Sequence, residues 1–520
     1  MPNSLPMSHS DPINTLSDNT RLRTDTLASS VLLLMFATVL QRSIGFGRGV
    51  LFCRWLSPET LGQWEMAYSF LLLAAPLAVL GIPGSFGRYL EHYKQRGHLH
   101  TFLRRTVVWT AIWSIGGVVT IVLFAPWFSQ QMFGSADNVF LVRGISLCLI
   151  AVILHHTLTS MLTALRLFRV VTAVNFAQSL LFALVALALL LNDASVASII
   201  TGYGVGCVLA SLGGIAWVWP ALREVQQPTE RMPQLEFWPR LLRFAFFVWV
   251  TNLLAHLFGV IDRYMLVHHA GMSSAEALDQ VGQYHSSRIV PLLLVSFASL
   301  LSGLVMPHLS HDWEAGRRRE VGRRTKLFVK LTGLGMFSFG VCVLLFAPLL
   351  FDVVLQGRYS SGLSVLPWTL IGCVWYGIFL VAQNYLWCAE HAKLATAPLA
   401  VGLAVNIGLN LVLLPIWGLY GAVVATAVSA AICLAAILLL SHRRGMTLDH
   451  GTWLIAIAPL ALTQGVPLAT ATLGVLVIAT LGTSLVLSTR ERTQLRTLLA
   501  VYLSKLKLSA RQNKNRAAGA

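Results

Sequence analysis

The chain has 520 residues, of which 56% are hydrophobic and only 11% charged, and its mean hydropathy is +0.70. That balance cannot hide its apolar surface inside a water-soluble globule, so lipid must be its solvent. A net charge of +17 would point to nucleic acid in a soluble protein; here it is mostly a topology signal plus attraction to anionic headgroups, and no nucleic-acid role is assigned.

Residues 1–26 are polar, rich in Ser, Asn and Asp, and lack a basic region followed by an apolar core and cleavage site. They read as a disordered cytoplasmic tail ahead of an uncleaved first span. A spanning helix needs about 20 mostly apolar residues, because in hydrocarbon only the helix itself satisfies its backbone N–H and C=O groups. The stretches that qualify are roughly 27–46, 61–82, 107–128, 139–162, 170–191, 196–219 and 242–261. A second series runs roughly 281–306, 327–351, 363–387, 394–414, 419–440, 453–469 and 471–487, with only a few residues around Gly465 to Pro467 parting the last two. The expected fold class is therefore an all-α polytopic membrane protein of about 14 transmembrane helices.

Between the sixth and seventh spans, residues 221–241 hold Pro228, Pro233 and Pro239 among polar residues and lead into aromatics mixed with Arg240 and Arg243. This is the composition of a cytoplasmic linker carrying an amphipathic helix. Residues 489–520 form a basic cytoplasmic tail in which Leu495, Leu498, Leu499, Tyr502, Leu503 and Leu506 recur at helical spacing.

Two segments repeat. Val122-Leu-Phe-Ala-Pro126 returns as Leu344-Leu-Phe-Ala-Pro348, and Gly62-Gln-Trp64 returns as Gly282-Gln-Tyr284, at offsets of 222 and 220 residues; Ala164 to Arg169 resembles Ala389 to Lys393 in the same order. Matching offsets at separate places indicate a duplication, giving an N-lobe of helices 1–6 (27–220) and a C-lobe of helices 7–12 (242–441), with helices 13–14 (452–488) appended. Because each lobe has an even number of spans, the repeat is parallel and its pseudo-two-fold axis runs along the membrane normal. With the N-terminus inside, 31 of the 38 Lys and Arg fall in cytoplasmic segments and four (Arg48, Arg54, Arg263, Arg358) outside, the asymmetry that sets orientation.

Arg42, Arg143 and Arg288 remain within predicted spans. A charge at the bilayer centre costs about 2.5–3.5 kcal/mol on insertion scales, so such a residue faces a polar cavity or a partner. Arg143 lies close enough to its span end to snorkel. Arg42, about 15 residues or ~22 Å into its span, and Arg288, ~10 Å from the outer end of its own, should occupy similar depths. The first, second, seventh and eighth spans are where two lobes of a carrier meet, and Glu65, His256, Asp262 and Arg263 lie on them or at their ends. With few acids beside them, these arginines describe a cationic path, and a cationic path selects anionic cargo, since the guanidinium fork suits phosphate. Arg263 has a plainer alternative, a pair with Asp262.

His155 and His156, mid-span, read as structural hydrogen-bonding groups. His308 and His311 have no third ligand, and the seven cysteines stand singly without ligand spacing, so neither metal nor cofactor is expected. There is no HExxH, Walker loop or GxSxG, hence no ATP hydrolysis.

The stretch Asn406-Ile-Gly-Leu-Asn-Leu-Val-Leu-Leu-Pro-Ile-Trp-Gly-Leu-Tyr-Gly-Ala-Val-Val-Ala-Thr426 resembles the eleventh-to-twelfth-helix signature of polysaccharide flippases in the multidrug, oligosaccharidyl-lipid and polysaccharide exporter superfamily. Arg54-Trp-Leu-Ser-Pro-Glu-Thr-Leu-Gly62 is similar to that family's first periplasmic turn, Ile261-Asp-Arg-Tyr-Met265 to its seventh-helix end, and Leu355-Gln-Gly-Arg-Tyr359 to its ninth-to-tenth turn. The likeness covers about Leu27 to Leu440. It implies alternating access by two lobes that flips an undecaprenyl-diphosphate-linked oligosaccharide across a bacterial inner membrane. The implied partners are an anionic lipid-linked glycan, membrane lipids, and polysaccharide polymerase and ligase machinery. Gln41-Arg-Ser-Ile-Gly-Phe-Gly-Arg48 is also similar to the first helix of lipid II flippases, whose basic residues there are cavity residues, so Arg42 and Arg48 join Arg263 and Arg288 as expected headgroup contacts. A cation-coupled drug exporter is the second reading, disfavoured by a first span without acids. A membrane glycosyltransferase or ligase is the third; outside loops shorter than twenty residues leave it no catalytic domain.

Overall fold

The computed structural model describes residues 27–79, 81–86, 90, 93, 98–223 and 234–493. The predicted N-terminal tail, the linker at 224–233, most of the basic loop 88–97 and the amphipathic tail beyond 493 lie outside the described residues. Among the described residues there are helices and no strand, as a chain that must satisfy its backbone inside lipid requires.

The first helices are α1 (Leu27–Trp55), α2 (Pro58–Ala78), α3 (Leu99–Leu123), α4 (Ala125–Phe133), α5 (Val139–Ala164), α6 (Phe168–Leu190), α7 (Val196–Arg223), α8 (Gln234–His269) and α9 (Ser274–Arg288). There follow α10 (Pro291–Glu314), α11 (Arg318–Pro348), α12 (Ser360–Ala382), α13 (Asn384–Cys388), α14 (Ala392–Trp417), α15 (Leu419–Arg443), α16 (His450–Ile457) and α17 (Val466–Gly482). Nine of the described helical segments are long and apolar enough to cross a membrane, and every predicted span has a helical counterpart. The protein is a multi-pass membrane protein.

Three boundaries differ from expectation. The first span does not stop at Phe46: α1 continues to Trp55 because nothing breaks it before Ser57, whose hydroxyl caps α2 by accepting from the Thr60 N–H (3.2 Å) ahead of Pro58. Arg48 and Arg54 are therefore helical residues, not loop residues. The predicted eighth span is two helices, because Pro291 can start a helix but cannot continue one. The thirteenth is also broken, an eight-residue α16 followed by a 3₁₀ stretch Ala458–Gln464 opening at Pro459.

The chain forms two compact units. The first comprises Met1–Ile289 with Val354–Ser361 and Leu414–Leu419; the second comprises Val290–Val353, Gly362–Leu413 and Tyr420–Ala520.

In the first unit the repeated glycines touch. A Cβ on Gly62 would stand 1.8 Å from the Leu278 carbonyl oxygen, and one on Gly282 would stand 1.9 Å from that of Pro58. Each glycine thus sits on the backbone four residues ahead of the other. The repeat is a reciprocal helix crossing of α2 and α9, and only hydrogen in place of Cβ allows so close an approach.

The turn repeat is equally physical. After α5, the N–H groups of Leu165, Arg166 and Leu167 donate to the carbonyls of Met161, Thr163 and Leu162; after α13, those of Ala389, Glu390 and His391 donate to Tyr385, Trp387 and Leu386. The patterns are offset by 224 residues throughout, and the central residue is left-handed in both, φ +61° at Arg166 and +57° at Glu390. The Phe-Ala-Pro repeat likewise marks a helix break in each copy, α3 to α4 and α11 to a π-turn at Leu349–Val354.

In the second unit, the family-like stretch ties α14 to α15. Asn410 Nδ2 donates to Asn406 Oδ1 (3.0 Å) and Asn406 Nδ2 to Thr426 Oγ1 (3.2 Å), with both asparagines fully buried. Lys330, one of the cations tallied as cytoplasmic, is inside α11 and 1% exposed; its Nζ meets Asp449 (2.7 Å) and Glu491 (3.0 Å), with Lys326 alongside at 3.1 Å from Asp449. Asp449 also caps α16 through the Thr452 N–H (3.0 Å). Burial pushes the Asp449 carboxyl up, but the hydrogen bonds from Lys330, Thr452 and Lys326 outweigh it and hold it at about 2.

Candidate functional site

The glycine crossing fixes what stands one turn further on. In the repeat Gly62-Gln-Trp-Glu65 and Gly282-Gln-Tyr-His285, the fourth residues occupy equivalent positions, and they meet: His285 Nδ1 is 2.7 Å from Glu65 Oε2. The other oxygen, Oε1, takes Arg263 Nη1 from α8 at 2.8 Å, and the same Nη1 donates to Ser69 Oγ at 2.6 Å. Glu65, Ser69 and Arg263 are 6%, 0% and 4% exposed.

Asp262 and Arg263 do not form the side-chain pair that adjacency invites. Successive helical residues point about 100° apart. Asp262 instead accepts the Tyr284 hydroxyl (2.7 Å) and the Arg263 backbone N–H (2.9 Å). Two carboxylates, one guanidinium and one imidazole thus lock α2, α8 and α9 together. Arg263 is occupied by these contacts. His285 is the member that residue-by-residue reasoning missed, although the repeat register pairs it with Glu65.

Arg48 is held differently. Gly202 and Gly206 of α7 lie against the backbone of α6 at Ala186 and Phe182, which brings Tyr203 to 4.9 Å from Phe182 between ring centres. Trp64 and Tyr68 of α2 complete the aromatic group, both within 6 Å of Tyr203. The Arg48 guanidinium lies 3.9 Å above the Phe182 ring, a cation–π contact worth roughly 0.5–2 kcal/mol. It has no carboxylate partner among the described residues.

Arg42 is exposed on α1, also without an ion-pair partner among the described residues. Arg288 closes α9, its guanidinium 5.1 Å from the Tyr284 ring centre, and its buried Nη1 has no hydrogen-bond partner. Gly49 faces Ile289 at 3.7 Å, so Arg288 is level with Arg48, not with Arg42 six residues before it on α1. His256 is half-buried on α8. His155 is buried, with Nε2 3.2 Å from Asn175 Oδ1 and Nδ1 3.5 Å from Ser211 Oγ, and Arg143 is exposed on the second turn of α5. No cluster of three His, Cys, Asp or Glu fit for a metal occurs among the described residues.

The family model for polysaccharide biosynthesis proteins matches residues 27–312, which takes in α1 to α9 and every residue of this site. The chain belongs to the polysaccharide biosynthesis protein family. Its fold is that of flippases and transporters of the MOP superfamily. The lipid II flippase MurJ in an inward closed conformation matches with a TM-score of 0.69 and 14% identity, over 86% of this chain and 98% of that one. An inward-facing multidrug resistance MATE transporter of the MOP superfamily matches at 0.63 and 13%, over 78% and 96%, and an outward-facing one at 0.58 and 14%, over 82% and 97%. No curated protein sequence matches significantly. The candidate site is an ion-paired scaffold with separate guanidinium groups that have no carboxylate partner among the described residues.

Proposed function

We propose that the chain is a flippase that moves an undecaprenyl-diphosphate-linked oligosaccharide from the inner to the outer leaflet of a bacterial inner membrane, for surface polysaccharide synthesis. The observation that carries this reading is the trio Arg42, Arg48 and Arg288, guanidinium groups on α1 and α9 with no carboxylate partner among the described residues. Unpaired cations within a bilayer are costly, and a diphosphate offsets that cost through bidentate, charge-assisted hydrogen bonds. The Glu65, Asp262, Arg263 and His285 cluster holds α2, α8 and α9 together, and α9 presents Arg288. Lipid is moved by alternating access without covalent chemistry, with N- and C-termini cytoplasmic, and the glycan passes to polymerase and ligase machinery.

Deletion of the gene is expected to raise the pool of diphosphate-linked sugar on the inner leaflet and deplete surface glycan. Unchanged pools in the deletion strain refute the proposal. A second reading, cation-coupled export of amphiphilic drugs, is favoured by the likeness to MATE transporters. The two buried acids among the described residues of the first unit argue against it, since Glu65 is neutralised by Arg263 and Asp262 is bound by Tyr284. Altered drug tolerance on expression, with surface glycan unchanged, selects that reading instead.

A further inference from the structure

A pocket of about 530 Å³ lies in the first unit between the last turns of α5, the first turns of α6 and Pro83, a volume in the ~300–1,000 Å³ range of small-ligand sites. Thr159 and Thr163 follow at i and i+4 on one face of α5 with Ser160 beside them, Arg166 stands in the turn just beyond, and Asn175 lines the pocket from α6. The described residues lining it include no carboxylate. Asn175 Oδ1 is taken by His155, which leaves its amide Nδ2 as a donor.

Arg166 is the telling residue. It sits at φ +61° in the turn after α5, a conformation that glycine adopts freely and arginine does not. The repeated turn after α13 has the same hydrogen bonds and the same left-handed residue, yet carries Glu390 there. The backbone therefore does not select arginine; the cation belongs to this pocket. It is exposed and has no carboxylate partner among the described residues.

We propose that this pocket is an anion site distinct from the α1 and α9 arginines, which binds a phosphate group, with Arg166 supplying charge and the Asn175 amide and Ser160 hydroxyl supplying hydrogen bonds. The inference does not depend on which cargo the protein moves. Phosphate of this kind comes either from a lipid headgroup or from a soluble diphosphate.

The test uses full-length protein in detergent, in an Arg42→Ala/Arg48→Ala/Arg288→Ala background so that those groups contribute nothing. Three probes are titrated: inorganic diphosphate by calorimetry, and phosphatidylglycerol and phosphatidylcholine by native mass spectrometry. Arg166→Gly is expected to lose at least tenfold in affinity for diphosphate or phosphatidylglycerol, to leave phosphatidylcholine unchanged, and to melt no lower than its parent because glycine suits the turn. Asn175→Ala should weaken the same probe, and Arg166→Lys should retain part of the affinity. Loss confined to phosphatidylglycerol identifies a headgroup site and loss confined to diphosphate a soluble-phosphate site. Equal affinities of the Arg166→Gly protein and its parent for both anionic probes overturn the proposal, whatever the fate of the transport assay.

Discussion

Gly62→Ala is the sharpest perturbation of the scaffold. The new Cβ would begin 1.8 Å from the Leu278 carbonyl oxygen, and real contacts of this kind are rarely under 3.0–3.4 Å. Because the obstacle is backbone, no rotamer change relieves it, and α2 must withdraw from α9 by roughly 1.4 Å. One turn on, that withdrawal stretches the 2.7 Å Glu65–His285 contact to about 4 Å, beyond hydrogen-bonding distance. Overpacking costs about 1–3 kcal/mol, and losing a hydrogen bond to a charged group about 1.5–3 kcal/mol. Since one movement causes both and part of the strain is relieved by it, the expected loss is about 2–4 kcal/mol. Thermal or denaturant unfolding of the purified protein in detergent reads it, with Gly282→Ala expected to match because the crossing is reciprocal. A Gly62→Ala protein within about 0.5 kcal/mol of wild type, or a large difference between the two glycine variants, refutes the reciprocal crossing.

Other expectations follow from the same contacts. Glu65→Gln leaves Arg263 buried without its counter-charge and should destabilise by about 3 kcal/mol or more in the same unfolding assay, whereas Arg143→Ala, exposed on α5, should fall within about 0.5 kcal/mol of wild type. Asp449→Asn removes the acceptor shared by Lys326 and Lys330 and should lower the melting temperature at neutral pH. The folded Asp449 carboxyl is held at about 2, below the ~3.9 of an unfolded aspartate. Its stabilisation is thus fully present above about pH 4 and lost as pH falls through 2. The gap between wild type and variant should accordingly be constant from pH 7 to 5 and narrow below pH 4; a gap that widens on acidification contradicts the assignment.

Much of the architecture was written in local pattern. Apolar runs gave the helices because lipid permits little else, and the repeats at Gly62 and Gly282 and at Arg166 and Glu390 proved to be a helix crossing and a turn. The errors lie where tertiary context overrides local signal. Arg48 lies inside α1 because nothing breaks that helix before Ser57. Lys330 counts as a cytoplasmic cation in a tally of charges, yet Asp449 and Glu491, more than a hundred residues away, bury it. Glu65 and Arg263 were both legible as notable charges, but their pairing was not, since a contact across 198 positions leaves no periodic trace.

The most direct test of the transport account is charge removal at the unpaired arginines. An Arg42→Ala/Arg288→Ala double variant, expressed in the deletion strain, is scored for membrane insertion by protease protection and for surface glycan by labelling of intact cells. The account predicts normal insertion with glycan delivery reduced to the deletion level. Wild-type delivery from the inserted double variant would contradict it.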